Sequence, residues 1–483
     1  MKRYHIIAAL LLLMPLMAGA QVLKGSYFLD NSVNRHRMNP AFAPRANYFQ
    51  LPGVGNTSVS ALSNLDIPTF VYPIDGNLAT FLHPSVSVRQ FEKALADHPH
   101  LDLEASTNIL NFGFFTKRKS FWTFDLSVNA GVDVDLPGDL FIFLKKGAGT
   151  QGESFNVANI NAYATGSVSA SLGYSRDIID GLRVGAKVRV IAPLAYAALN
   201  LENMRINTSK DKWTVQTEGY AYAAVQGLQT ELPEGELIPE VMFDVDRMIQ
   251  NKVKAGMGYS LDLGVEYVLK TESFLNGLSV SAAVTDLGRI SYDAEAVRAF
   301  STSGSVDWVG FQNVSADNLD FEAAIADFMD SAEGLLNLKD EGAVSDFSRS
   351  TMPRVYAGVE MPLLKQSMSV GLLYSGRFSH SYYRQELTAS YNLTPTKWFA
   401  LGLNYSFLNT ANTMGAILEL TPKAGFNLCL GCDYIPVGFA PAPMIGEMLG
   451  IPESLSLLPM SLRFNLHFGM SLALGGDKYK KSK

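Results

Sequence analysis

The residues best suited to chemistry are few and scattered along the chain. Cys429 and Cys432 form a Cys-x-x-Cys, the spacing that thiol exchange and zinc sites use. The residues around them alternate between apolar and small, however, which predicts a strand. Three residues of extended chain carry the Cα atoms about 10 Å apart and turn the side chains to opposite faces, beyond the ~7 Å reach of a disulfide. Asp133, Asp135 and Asp139 offer the hard oxygens that calcium takes, but they lack the glycine and closing glutamate of an EF-hand loop and read as a polar strand end. Of seven histidines, His83, His98 and His100 cluster near prolines with no serine or cysteine nucleophile signature beside them. The chain is therefore not read as an enzyme, and neither a metal nor a cofactor is expected. What remains is a set of isolated polar side chains, Asp125, Lys254, Asp262, Glu266, Arg377, Arg463 and His467, each set in a run that alternates in polarity.

The elements that must position those side chains have a period of two. Leu462, Phe464, Leu466, Phe468, Met470, Leu472 and Leu474 share one face, and Arg463, Asn465, His467, Gly469 and Ser471 share the other. The stretches 255–269 and 122–134 alternate in the same way. These runs exceed the ~5–6 residues usual in soluble sheets and meet the ~9–11 that cross a membrane's hydrocarbon layer. The apolar row is then expected to face lipid and the small or polar row a lumen. Trp122, Trp213, Tyr267, Trp398 and Tyr434, near strand ends, suit an interfacial girdle.

Composition narrows the class further. The 483 residues are 47% hydrophobic and 18% charged, below the ~25% charge of soluble domains. Two cysteines exclude a disulfide scaffold, and a net charge of −7 excludes a basic nucleic-acid binder. A mean hydropathy of +0.09 is too low for a bundle of membrane helices. Lys2 and Arg3, the apolar run 6–16 and Ala18-Gly19-Ala20 read as a secretory signal peptide cleaved after Ala20. The chain is thus read as a signal peptide (1–20), an N-terminal plug segment (21–47), a β-barrel (48–476) and a basic tail (477–483), placed in the outer membrane of a Gram-negative bacterium. The fold class is all-β, a transmembrane antiparallel β-barrel of 14 to 16 strands with short helices in its long loops. Sixteen strands follow if Pro193 marks a turn, and fourteen if it is a bulge inside one strand. Connections such as 117–120, 177–181 and 208–212 are tight, whereas 64–104, 226–251 and 293–352 are long. Ser87 with Gln90 predicts a capped helix over 87–96, residues 320–338 have the periodicity of an amphipathic helix, and 439–452 forms an apolar loop.

The element Met38-Asn39-Pro40-Ala41, just ahead of the first strand, resembles the Asn-Pro-Ala motif of FadL-type long-chain fatty-acid transporters and of PorV-like barrels of Bacteroidetes. Residues 48–61, the Gly113-containing strand and Thr285-Asp286-Leu287-Gly288-Arg289-Ile290 look like a Bacteroidetes outer-membrane barrel family of unknown function, over essentially the whole mature chain. The resemblance implies a barrel whose N-terminal segment plugs the lumen. Its function would be transport of a hydrophobic or amphipathic small molecule, or, alternatively, service as a non-transporting platform for a secretion or surface-assembly partner. One departure is that Asp477 to Lys483 follow the last strand, which therefore does not end in an aromatic residue. Plug and lumen candidates are Arg35, Arg37, Asn39 and Pro40 on the segment and Asp125, Asp262, Glu266, Arg463 and His467 on the wall. Opposite charge is expected to hold the basic segment, Arg35 to Arg37, against the wall carboxylates.

Overall fold

The computed structural model describes residues 23–475 apart from 75–76, 97, 118–119, 147–153, 209–212, 226–227, 232–239, 244–254, 309–338, 345–346, 365–366, 380–382, 409–411, 423–424, 436–438, 442–456 and 460. The alternating runs become fourteen antiparallel strands, each paired with the next. They are β1 (Asn47–Gln50 and Thr57–Asp66), β2 (His100–Phe115), β3 (Phe121–Asp135), β4 (Ile160–Ile179), β5 (Leu182–Thr208), β6 (Trp213–Val225 and Gly256–Val268) and β7 (Ser279–Tyr292 and Val297–Trp308). They continue as β8 (Lys339–Ala343, Ser348–Ser350 and Arg354–Leu363), β9 (Met368–Phe378), β10 (Tyr383–Thr396), β11 (Phe399–Leu408), β12 (Asn412–Leu420), β13 (Phe426–Cys432) and β14 (Ser461–Leu474). The last strand pairs with the first, Asn47 opposite Leu474 and Thr57 opposite Phe468, so the sheet closes and leaves no edge.

The polarity of the wall is inverted relative to a soluble protein. Along β6, Met257 and Tyr259 are 60% and 67% exposed on the outside, while Ser260 and Asp262 just beyond them are buried at 3% and 0%. Leu466 on β14 and Leu403 on β11 likewise point outward. Apolar side chains on the outside of a closed barrel are stable where the surrounding solvent is lipid. Trp398 and Tyr267 lie on this exterior, as the girdle reading expects. Tyr434 does not: it is fully buried and turned inward.

Pro193 resolves the strand count. It lies inside the 27-residue β5, opposite Ser167, and the register shifts there because Ala195 pairs with Gly166 and Leu194 is left over. Proline has no N–H to give to the ladder, so an interior strand accepts it only at such a bulge. Its carbonyl still accepts the Ala255 N–H at 2.7 Å. The sixteen-strand alternative therefore fails, and fourteen is correct. The consequence extends to the 208–212 connection. Because β5 does not turn at Pro193, that tight connection falls at the same end as the long ones.

Short turns, including 179–182 with Gly181 at φ +80°, lie at the opposite end. The long connections carry α1 (Ile67–Phe70), α2 (Val88–Ala94) and α3 (Gly138–Lys146). Ser87 caps α2, its hydroxyl accepting the Gln90 N–H at 3.2 Å, as the sequence predicts. Phe70, Phe81, Phe91 and Phe141 pack the helices together. The expected helix at 320–338, the signal segment 1–20 and the tail 477–483 lie outside the described residues, as does most of 439–452 apart from Phe439–Pro441, which pairs with Leu457–Pro459. Cys429 and Cys432 both lie on β13 as free thiols.

Candidate functional site

Ahead of β1, residues 23–43 make no strand. They fold as two single 3₁₀ turns, Lys24–Ser26 and Arg35–Arg37, joined by short turns, and nearly all are buried. Proline and asparagine set the path locally. The Asn39 carboxamide oxygen accepts the Ala41 N–H at 3.0 Å, a side-chain turn that Pro40 prolongs by having a fixed φ. The Asn39 amide then donates to the Val265 carbonyl at 3.1 Å on β6, tying the turn to the wall.

The wall makes room for this segment with glycine. On β5, a Cβ at Gly185 would strike the Pro40–Ala41 backbone, and on β6 one at Gly264 would strike Asn39. Gly358 on β8 and Gly371 on β9 lie under Tyr27 and Phe28, Gly402 on β11 under Leu29, and Gly431 on β13 under Leu23. Six strands thus each withhold a side chain where the segment passes. Around this seat Tyr27, Phe28, Met38 and Phe42 pack with Ala283, Tyr356 and Leu373 of the wall. The Tyr27 ring stands edge-on to both Phe28 and Phe42 at 4.9 Å.

The start of the segment is held by charge. The backbone N–H groups of Lys24 and Gly25 donate to the Asp433 carboxylate at 2.6 and 2.8 Å. The Lys24 ammonium donates to Tyr434 at 2.7 Å and pairs with Glu386 on β10, to which Tyr434 also donates at 2.7 Å. Burial pushes the Lys24 ammonium below its ordinary value, against the pull of Glu386. Tyr434 faces inward because it completes this anchor. Further along, His36 bonds Asp125 on β3 at 3.1 Å, and Arg37 donates to Asn108 at 3.0 Å with Asp125 at 3.9 Å.

Beyond the segment, toward the long connections, the lumen opens into a cavity of about 250 Å³. A chain of ion pairs crosses its wall. Lys187 lies 3.8 Å from Asp125, Arg189 bridges Asp262 at 3.2 Å and Asp286, Arg354 meets Glu104 at 3.1 Å, and Arg377 and Arg384 meet Asp102 at 2.9 and 3.0 Å. Serine side chains of β2, β3 and β4 and Asn129 of β3 lie among these pairs in the lining, together with Tyr163 and Tyr292. A second, wider cavity of about 1200 Å³ lies at the mouth, bounded by Asp66, His98, His100, Arg384 and Arg463.

The residues singled out from sequence are distributed as follows. Asp125 meets the N-terminal segment through His36 and Arg37. Arg35 does not pair with a wall carboxylate: it pairs with Asp30 of its own segment and lies 4.1 Å over the Phe42 ring. Asp262 turns to Arg189 and accepts the Asp286 N–H at 2.8 Å, and Glu266 accepts Ser279 at 3.2 Å. His467 approaches the Asn34 amide at 3.4 Å. Arg463 pairs with Asp66 at the mouth, at 2.6 Å, away from the segment. Lys24, Glu386, Asp433, Arg189 and Arg354 escaped the sequence reading. For Glu386, Arg189 and Arg354 the only advance signal is an inward parity in an otherwise apolar strand, which many residues share; Lys24 and Asp433 lie outside the strands and have none.

A model of DUF5723, a family of unknown function, matches residues 40–433. No curated protein sequence matches the chain. Among solved structures, the toluene transporter TbuX of Ralstonia pickettii superposes with a TM-score of 0.40 at 10% identity, over 92% of this chain and 95% of that one. The toluene transporter TodX of Pseudomonas putida gives 0.39 at 10% identity, over 94% of each chain. A FadL homologue of Pseudomonas aeruginosa gives 0.37 at 12% identity, over 95% and 97%.

Proposed function

The chain belongs to DUF5723, a family of unknown function, and from that premise we propose that it is an outer-membrane conduit for a small amphipathic molecule, with residues 23–43 as its plug. One observation carries the reading. The segment fills the short-turn half of the lumen and reaches Glu386 and Asp433 on the long-connection side, while beside it a chamber of about 250 Å³ stays open toward the long connections. A platform that only displays loops to a partner needs no such chamber. Among hydrophobic and amphipathic cargoes, the ion-paired wall with tyrosines in its lining favours a molecule that is polar at one end and apolar at the other. No covalent step is involved. The exported destination read from the first twenty residues and the apolar exterior support placement in the outer membrane.

The test is single-channel recording in planar bilayers, with the full chain and a variant lacking residues 23–43. The full chain is expected to conduct little and the variant to open a stable, larger conductance. Equal conductance overturns the plug. Uptake of a fluorescent amphiphile by cells with and without the protein tests cargo, and equal uptake counts against the conduit.

A further inference from the structure

We propose that the chamber recognises the polar end of its ligand as a neutral, polyhydroxylated group of the saccharide or polyol class. This rests on the conduit reading and names what the conduit takes. The first ground is that the lining's carboxylates already have partners. Asp102, Glu104, Asp125 and Asp286 each have a cation within ion-pair distance, and Asp133 accepts from the Ser379 hydroxyl. A charged ligand head would have to displace one member of such a pair and leave a buried charge without its counterion, a loss that exceeds what a new contact returns. A hydroxyl both donates and accepts. It can take an arginine N–H and give its own proton to the adjacent carboxylate while the pair stays intact.

The second ground is the polar strip beside these pairs. Ser127 and Asn129 on β3 and Ser169 on β4 form a contiguous polar strip, with Ser127 and Ser169 3.1 Å apart and the Asn129 amide donating to Ser169 at 3.2 Å. Ser106 and Ser171 extend it on either side. Ion pairs interleaved with uncharged donors and acceptors, Ser171 lying between Asp125 and Arg189 across neighbouring strands, present hydrogen-bonding groups in alternation, which suits a ring of hydroxyls and does not suit a point charge. The third ground is size. At about 250 Å³ the chamber falls just short of the ~300–1,000 Å³ that holds drug-sized ligands, so it suits a compact head group.

The full chain in lipid nanodiscs is titrated with methyl glucoside and maltose, and separately with butyrate and choline, following tyrosine fluorescence and calorimetric heat. Saturable binding of the neutral sugars is expected, with butyrate and choline at least tenfold weaker. The double variant Asn129→Leu, Ser169→Ala is expected to weaken methyl glucoside about tenfold. The comparison among probes uses the unaltered chain, so it stands whether or not the variant assembles. Butyrate or choline binding as tightly as the sugars overturns the proposal, as does no saturable sugar binding. Liposome swelling separates the two readings. Sugar binding without sugar flux upholds the polyol head and counts against the conduit. Flux of an alkyl carboxylate or alkyl ammonium without sugar binding does the reverse.

Discussion

The two halves of the lumen are built from the same strands and treat space in opposite ways. Toward the short turns, β5, β6, β8, β9, β11 and β13 each place a glycine inward, and residues of the chain's own N-terminal segment occupy the volume. Toward the long connections, the same strands or their neighbours place arginine, lysine, aspartate and tyrosine inward, and the volume stays open. Where the segment begins, on the long-connection side of β10 and β13, charge is sealed: Lys24, Glu386, Tyr434 and Asp433 are all buried. In the open half the pairs border a chamber that water can enter. Small inward residues therefore mark where the segment packs against the wall, while charged ones either hold it, as Asp125, Glu386 and Asp433 do, or border the open chamber.

The largest expected effect breaks the sealed anchor. Lys24→Ala leaves Glu386 buried without its cation and should destabilise the barrel by about 3–5 kcal/mol, read by reversible denaturant unfolding in lipid vesicles. A loss below 1 kcal/mol would mean that the anchor is wet and the contrast false. Next is Gly264→Val, whose side chain competes with Asn39 for one space. It should cost about 1–3 kcal/mol and raise single-channel conductance by lifting the segment. The matching truncation beside the chamber, Arg354→Ala, should cost less, about 1–2 kcal/mol, because Glu104, itself buried, keeps Arg377 as its cation. Equal losses for Lys24→Ala and Arg354→Ala would erase the distinction between the segment's sealed anchor and the pairs that border the chamber.

The smallest effect is one of pH. Burial, joined by the Lys187 charge, holds His36 below its ordinary value of 6.5, against the pull of Asp125. Since the folded value is the lower one, the stability that the neutral ring contributes is complete above about pH 6.5 and is lost as pH falls through the folded value. Hydrogen-exchange protection over residues 33–43, taken relative to the intrinsic rate at each pH, should therefore fall between pH 7 and pH 5, and His36→Gln should flatten that response. An unchanged profile in the native chain would show that the ring does not titrate in its seat.

Much of the wall was legible in advance because period-two alternation is a local property. Met257 to Tyr267 and Leu462 to Leu474 announce their outward faces without knowledge of any partner. Pro193 was ambiguous because a missing N–H is tolerated both at a turn and at a bulge, and only pairing with Ser167 and Ala255 decides between them. Tyr267 and Tyr434 look alike as aromatics at strand ends, yet one faces lipid and the other caps Lys24. Arg35, His36 and Arg37 are adjacent in sequence and go to an internal aspartate, a wall aspartate and a wall asparagine in turn. Such choices depend on what lies across the lumen, and no window along the chain contains both partners. The inward glycines are individually unremarkable small residues, and they become a seat only once six strands are brought to one level.

Lys24 is bonded to Asp433, 409 residues further along the chain, and the glycines beneath the segment come from strands spread over 185–431. The seat does not exist until nearly the whole wall has been laid down and closed. The first described stretch of the polypeptide is therefore the last to settle. Contacts separated by so much chain cost the most loop-closure entropy, so they form late.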